Sequence, residues 1–251
     1  TDRNWTGTIF LQSNWYAFGR LAWDHELTSA AIAEEWIKMT LSHNPVAIKS
    51  IKKMMLDSRE ICVNYMTPLG LHHMMGWGHH YGPAPWIKDK PREEWTSVYY
   101  HRADKEGIGF DRTKSGSDAL GQYFEPVQHH FGDLKNCPEE FLLWFHHLPW
   151  DYKLKSGKTL WDELCYHYYE GARAVSDMGT TWRKLEGQVN PKVFNQIDQM
   201  LKIQEKEAIW WRNACVLYFQ TFSDRPIPGD LEMPEKTLEY YQNLQFPFAP
   251  M

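Results

Sequence analysis

From Thr159 onward the chain carries two long runs in which apolar or small side chains recur at alternating steps of three and four. The first run is Trp161, Leu164, Tyr168, Gly171, Val175, Met178, Trp182 and Leu185. The second is Phe194, Ile197, Leu201, Gln204, Ala208, Trp211, Cys215, Tyr218 and Phe222. That stepping puts one seam on one face of an α-helix and fits no strand. Gly187 is placed to end the first helix, and Asn190-Pro191 to start the next. Two such helices joined by a short turn predict a long antiparallel hairpin, each arm roughly 40 Å long. Arms of that length either close on each other and on the earlier helices, or project and meet a second subunit. The residues leave both open.

The rest of the chain reads as helix at its start and as irregular backbone in its middle. Residues 8–23 carry Phe10, Leu11, Trp15, Phe18 and Ala22 at helical spacing. A second helix follows Thr28 as N-cap, with Ala33, Trp36, Ile37 and Leu41 on one stripe. Asn44-Pro45 opens a third, predicted to run to about Asn64. Across 65–118 glycine and proline become dense and the periodicity is lost: Gly70, Gly76, Gly78, Gly82, Pro83 and Pro85 punctuate YMTPLGLHHMMGWGHHYGPAPW. Irregular segments of that length inside a compact domain are usually functional or disordered, and the aromatic and Met content here speaks against disorder. Arg225-Pro226-Ile227-Pro228-Gly229 breaks the last long helix, and the tail holds one short one, Pro234–Asn243. Strand signals are weak throughout, so the expected fold class is mainly α.

Composition excludes several functions. At 251 residues and 43% hydrophobic the chain can bury a core without staples. Its net charge of −5 and lack of a dense Lys/Arg run argue against nucleic acid as partner. No stretch approaches a membrane span, and no signal peptide opens the chain. Cys62, Cys137, Cys165 and Cys215 form no C-x-x-C pair and sit in apolar contexts. They read as buried thiols in a reducing compartment, which makes the expected location cytoplasmic. Most of the 13 tryptophans are expected in the core.

Four His-His pairs (72-73, 79-80, 129-130 and 146-147) raise a metal site, but adjacent histidines diverge on any regular element, and no H-E-x-x-H is present. No metal or cofactor is expected. Gly107-Ile108-Gly109 lacks the third glycine of a dinucleotide turn, and no G-x-S-x-G elbow supports a hydrolase serine. Arg102 and Asp104, then Asp111 and Arg112, bracket that glycine stretch. They either grip a polar ligand through the planar guanidinium or pin the loop as an internal ion-pair network. Aromatic faces, imidazoles and arginines on irregular backbone between 65 and 112 suit a flat, hydroxyl-rich ligand bearing an acid, such as a sugar acid.

Three segments carry a resemblance: TDRNWTGTIFLQSNWYAFGRLAW (Thr1–Trp23), YMTPLGLHHMMGWGHHYGPAPW (Tyr65–Trp86) and YYHRADKEGIGFDRTKSGSDALGQY (Tyr99–Tyr123). With His80-Tyr81-Gly82-Pro83 and Gly107-x-Gly109-x-Asp111-Arg112-Thr113 as their most specific parts, they resemble the xylan-debranching α-glucuronidases, a glycoside hydrolase family. The likeness covers nearly the whole chain. It implies a longer protein with an N-terminal β-rich domain, a central (β/α)8 barrel and a C-terminal helical region. Residues 1–23 would be the closing turn and helix of the barrel, and 24–251 the mainly helical domain.

Such enzymes remove 4-O-methyl-glucuronic acid from xylo-oligosaccharides with inversion, which needs an acid and an opposed carboxylate base. The resemblance places both in the barrel, so no catalytic residue is assigned to this chain. It implies a helical region that walls the pocket at the barrel's C-terminal face and mediates homodimerisation. His80, Tyr81, Trp86, Tyr100, Arg102, Asp111 and Arg112 are the expected pocket-wall or loop-shaping residues, with Trp77 a weaker candidate. A free-standing carbohydrate-binding module and a His-rich metalloprotein are the alternatives.

Overall fold

The computed structural model describes residues 6–77 and 81–245. The chain is mainly α-helical. In order the elements are α1 (Ile9–Trp23), α2 (Ser29–Thr40), α3 (Pro45–Met66), α4 (Ser97–His101), β1 (Gly107–Ile108), α5 (Glu125–Gly132), α6 (Leu142–Phe145), β2 (Leu148–Pro149), α7 (Leu160–Arg183), α8 (Pro191–Ser223) and α9 (Leu238–Gln242). β1 and β2 pair antiparallel, Gly107 opposite Pro149 and Ile108 opposite Leu148, and form the only sheet among the described residues. No helix among them is long and apolar enough to cross a membrane.

Helix starts follow their capping residues. Thr8 and Thr28 hydroxyls accept from the N–H groups of Leu11 and Ala31, each at 3.2 Å. Asn44 Oδ1 accepts from Val46 N–H at 2.8 Å, with Pro45 in the first turn where its missing N–H costs nothing. Asn190 accepts from Lys192 in the same way before Pro191. Two ends differ from expectation. α7 stops at Arg183, because the bonds Leu185 N–H to Trp182 O and Glu186 N–H to Arg183 O tighten the chain before Gly187 is reached. α9 starts at Leu238 because Thr237, not Pro234, caps it.

The chain divides into two compact units. One comprises the chain up to Ile61 together with Ala174–Glu205, the other Cys62–Arg173 together with the chain from Lys206. In the first unit Trp36, Ile37, Ile51 and Trp182 are fully buried. Trp182 stacks on Phe194 with centroids 5.7 Å apart and donates its indole N–H to the Phe194 carbonyl at 3.0 Å. A buried Trp takes about 150–250 Å² out of water, so truncation there costs about 3–5 kcal/mol. Polar contacts join α1 to α2: Tyr16 Oη and Arg20 Nε each donate to Glu35 Oε2 at 2.9 Å. Much of the apolar spacing of α1 is left outward: Trp15 is 58% exposed, Phe18 71% and Trp23 88%.

In the second unit Ile108, Leu142, Leu143, Leu160, Trp161, Tyr168 and Phe219 form the fully buried centre. The tryptophans are less central than expected. Trp36, Trp150, Trp161, Trp182 and Trp211 are buried, whereas Trp77, Trp86, Trp144 and Trp210 are half-buried and Trp95 is exposed. Flat rings with one face on irregular backbone stay partly in water, where composition alone counts them as core.

α7 lies close against the end of α3. A Cβ at Gly171 would come within 2.5 Å of the Tyr65 backbone nitrogen and 2.9 Å of the Asn64 carbonyl carbon. At Gly179, on the same helix, the nearest atom is the movable guanidinium end of Arg183 at 3.1 Å. Alanine normally improves a helix interior by about 1 kcal/mol over glycine. Gly179→Ala should therefore hold or raise the melting temperature. Gly171→Ala should lower it, by about 1–3 kcal/mol of stability, since backbone must move. Thermal melts of the two variants check this, and a stabilised Gly171→Ala would show that the close approach is not there.

Candidate functional site

The site is built on one threaded strand of backbone. Residues 107–112 run beside 142–149: after the antiparallel β1–β2 pair, Phe110 N–H and Arg112 N–H donate to Leu143 O (3.0 Å) and Phe145 O (2.9 Å) of the short helix α6. The fit admits no side chain at the two glycines. A Cβ at Gly107 would stand 2.0 Å from Leu148 O, and one at Gly109 2.1 Å from His146 O, where φ is also +109°. The Gly-x-Gly motif thus serves close backbone approach. The paired histidines pin the same strand: His147 Nδ1 donates to Gly109 O at 2.9 Å, and His146 Nε2 donates to Phe131 O at 2.7 Å.

Threading delivers Arg112 into a sandwich. Its guanidinium carbon lies 4.1 Å from the Phe110 ring centroid and 3.8 Å from that of Trp144, and Nη1 donates to Trp144 O. The residue is only 9% exposed, and burial pulls its pKa down to about 10. Arg102 approaches the same Phe110 ring at 3.7 Å and donates Nε–H to Tyr99 O at 3.2 Å, from a left-handed backbone (φ +45°) that ends α4. Tyr100 stacks on Trp144, 6.0 Å between centroids and 20° between planes. His72 stands 5.3 Å from both Tyr100 and Trp144, and His73 5.0 Å from Tyr100. Burial, then the charges of His73 and Arg112, hold the His72 pKa below the ordinary imidazole value.

Tyr100, Arg102 and Arg112 therefore come together, as the sequence motifs suggest. Their acidic neighbours do not join them. Asp104 Oδ1 accepts from the N–H groups of Glu106 and Gly107, and Asp111 accepts from Thr113 and Ser115. Burial pushes the Asp111 carboxyl up, but the Thr113 and Ser115 hydroxyls outweigh it and hold the pKa below normal. Neither arginine has a carboxylate partner among the described residues, so the internal ion-pair network is not what these four residues form.

Tyr81 and Trp86 stand in other surroundings. Tyr81 Oη donates to Glu207 at 2.8 Å, and burial with that carboxylate raises the phenol to about 12. Gly82 (φ +68°) follows because a Cβ there would strike the Trp210 ring at 2.1 Å. Trp86 meets Tyr218 edge-on at 6.3 Å. His80 lies outside the described residues. Trp77 faces Trp95 at 6.4 Å. The sequence motifs miss Phe110, Trp144, His72 and His73. The 72-73 pair is visible but speaks only to metal, and Trp144 reads as helix core. Among the described residues no group of three or more His, Cys, Asp or Glu side chains is arranged to hold a metal ion.

His101 supports this wall from beneath. It is fully buried, donates Nε2–H to Pro85 O at 2.8 Å and accepts from Ala103 N–H on Nδ1 at 2.9 Å. Burial drives its pKa from 6.5 to about 4, against a smaller opposing pull from Pro85 O. Between those pH values the unfolded chain takes up a proton that the folded chain refuses. Stability from this group is thus complete above pH 6.5 and lost as the pH falls toward 4, by about 3 kcal/mol in all. Denaturant titrations at pH 7.5, 6 and 5 should show the decline. His101→Gln should be less stable at pH 7.5 yet decline less steeply, and an equally steep variant would assign the acid sensitivity elsewhere.

The family model described as "Glycosyl hydrolase family 67 C-terminus" matches residues 6–232. The chain is 34% identical over 231 residues to Alpha-glucuronidase A of Emericella nidulans, covering 90% of this chain and 26% of that protein. It is 33% identical over 229 residues to a Probable alpha-glucuronidase A of Aspergillus niger, covering 90% and 27%. An Alpha-glucuronidase A of Aspergillus tubingensis shares 32% over 229 residues, again 90% and 27%. The chain thus spans about a quarter of the length of the curated relatives it matches. Matched over residues 6–232 by one family model, this chain belongs to the C-terminal region of glycosyl hydrolase family 67.

Proposed function

We propose that this chain is the C-terminal portion of an α-glucuronidase that hydrolyses the α-1,2 bond of (4-O-methyl)glucuronic acid side chains on xylo-oligosaccharides. In this reading a (β/α)8 barrel elsewhere in the protein holds the two carboxylates that invert the anomeric centre, and residues 1–23 close that barrel. The outward apolar face of α1 supports the second point, since Phe18 and Trp23 are largely exposed on it. Residues 24–251 then wall the substrate pocket with His80, Tyr81, Trp86, Tyr100, Arg102, Asp111 and Arg112. The observation that carries the reading is the pair of guanidiniums on aromatic rings with no carboxylate partner among the described residues. An acidic sugar supplies the missing charge.

α7 and α8 form, in the same reading, an antiparallel hairpin whose outer side makes a homodimer. The Trp182–Phe194 stack beside the turn supports the hairpin, and exposed Met200 and Ile203 on α8 support the dimer. Four free thiols, three of them buried, support a cytoplasmic home.

In the full-length enzyme, Trp86→Ala and Arg112→Ala should each lower kcat/KM on an aldouronic acid by about 10–100-fold, or ~1.4–2.7 kcal/mol. Unchanged kinetics in both would remove the pocket role. The 251-residue chain alone should release no uronic acid. Met200→Glu combined with Ile203→Glu should convert the dimer to monomer by light scattering, and a persistent dimer would place the interface elsewhere.

A further inference from the structure

A cavity of about 310 Å³ lies within the second unit, between the loop 133–139 and the arm 150–159. Sites for small ligands span about 300–1,000 Å³, so it stands at the lower end of that range. Local turns build both sides. On one side Asp133 Oδ1 accepts from Lys135 N–H at 3.0 Å, and the Asp133 carbonyl accepts from Cys137 N–H at 2.8 Å. On the other, Leu154 N–H donates to Lys158 O at 3.1 Å, with Gly157 at φ +81° in the turn between them. Glu139 Oε1 ties the two sides by accepting from Lys155 N–H at 2.7 Å.

The charge on this cavity runs against that of the chain. The chain carries a net −5, yet Lys135, Lys153 and Lys155 all line the cavity, and all three are exposed. None of them has a carboxylate within ion-pair distance among the described residues. Acids close by in sequence are engaged elsewhere: Glu163 faces Lys158 at 3.6 Å, Asp151 faces Arg225 at 3.8 Å, and Asp133 holds its own turn. Glu139 is the one carboxylate among the lining residues. Cys137 also lines the cavity, and burial, with the charge of Glu140, pushes its thiol up to about 11 against a smaller pull from Lys155. The thiol therefore adds no negative charge. Three ammoniums against one carboxylate leave a surplus of two positive charges over a floor of buried Leu142 and Leu154.

We propose that this cavity binds a small phosphate monoester, with the phosphate on Lys135, Lys153 and Lys155 and the carbon body on Leu142 and Leu154. A phosphate monoester carries about −1.5 to −2 at pH 7, which matches the surplus, whereas a monocarboxylate matches half of it. Lysine ammoniums are point charges without the fork that selects a planar carboxylate, and they suit the three oxygens of a phosphate. The concave shape takes a small molecule in place of a flat charged surface. None of these residues belongs to the arginine–aromatic wall, and the proposal does not rest on the α-glucuronidase reading.

The test is calorimetric titration of the purified protein at pH 7.5 and low salt with phenyl phosphate, inorganic phosphate and benzoate. Saturable binding of phenyl phosphate is expected, at least threefold tighter than that of the other two, and weakening as sodium chloride is added. Lys153→Gln and Lys155→Gln, both at exposed side chains, should each weaken it about threefold, and together about tenfold. Lys135→Gln, on the opposite loop, should act as the single variants do. Lys192→Gln, on α8 and outside the cavity, should leave binding unchanged. Circular dichroism establishes that each variant is folded.

Absence of saturable binding overturns the proposal, as does phenyl phosphate held no more tightly than benzoate or inorganic phosphate. Binding that survives the double substitution in folded protein overturns it too, because the phosphate then sits elsewhere. Hydrolysis of an aldouronic acid is no readout of this cavity, so failure here leaves the α-glucuronidase reading standing.

Discussion

The close approach of residues 107–112 to residues 143–149 is the constraint from which the candidate site follows. Backbone cannot lie that near backbone with a Cβ between, so glycine stands at 107 and 109. Beyond the β1–β2 pair, Phe110 and Arg112 hydrogen-bond to carbonyls of α6. Phe110 turns into the core, Arg112 arrives over Trp144, and Asp111 is held at a turn by Thr113 and Ser115. His147 ties the two segments through Gly109 O and stands 3.6 Å from Asp104, while His146 ties its segment to Phe131 O in α5. A motif that looks like a ligand loop is thus first a packing device, and the arginine is its consequence.

Charge placement in this unit follows one rule. Acids near the arginines are spent on turns: Asp104 on two N–H groups and Asp111 on two hydroxyls. The arginines are spent on rings and single carbonyls. A self-neutralising network would have been stable and inert. Separating the signs leaves the guanidiniums without a carboxylate partner among the described residues, at the cost of desolvating Arg112. His101 is the opposite case, a titratable group satisfied by Pro85 O and Ala103 N–H and kept neutral by burial. It holds shape and has nothing to offer a ligand.

The helices were legible because their signals are local. Threonine and asparagine caps, Pro45 and Pro191 in first turns, and a seam stepping by three and four each act within a turn or two of themselves. α7 ends at Arg183, two residues short of the seam's last member Leu185, because carbonyl partners three back, invisible in a pattern of apolar residues, tighten the chain there. Tyr100, Arg102 and Arg112 could be drawn together from sequence since all lie within thirteen residues. Trp144 and His72 could not, because each is about thirty residues away from them and reaches them only through folding. The burial of tryptophan was overrated for a related reason: composition counts ring area, whereas exposure depends on whether both faces find partners.

α1 shows what a sequence pattern leaves undecided. Its spacing is that of a good amphipathic helix, and it forms one. It meets α2 through Phe10 on Trp36, ring centroids 5.8 Å apart, and through Tyr16 and Arg20 on Glu35, while Trp15, Phe18 and Trp23 are exposed. Periodicity states that a face is apolar and is silent on what lies against it. Exposed pairs such as Arg20–Glu35 contribute little to stability, so the polar side orients this helix more than it holds it. The apolar side carries the larger energy, about 25 cal/mol per Å² once covered. The apolar contact of Phe10 with Trp36 and Trp182 therefore holds this helix more than its polar contacts with Glu35 do.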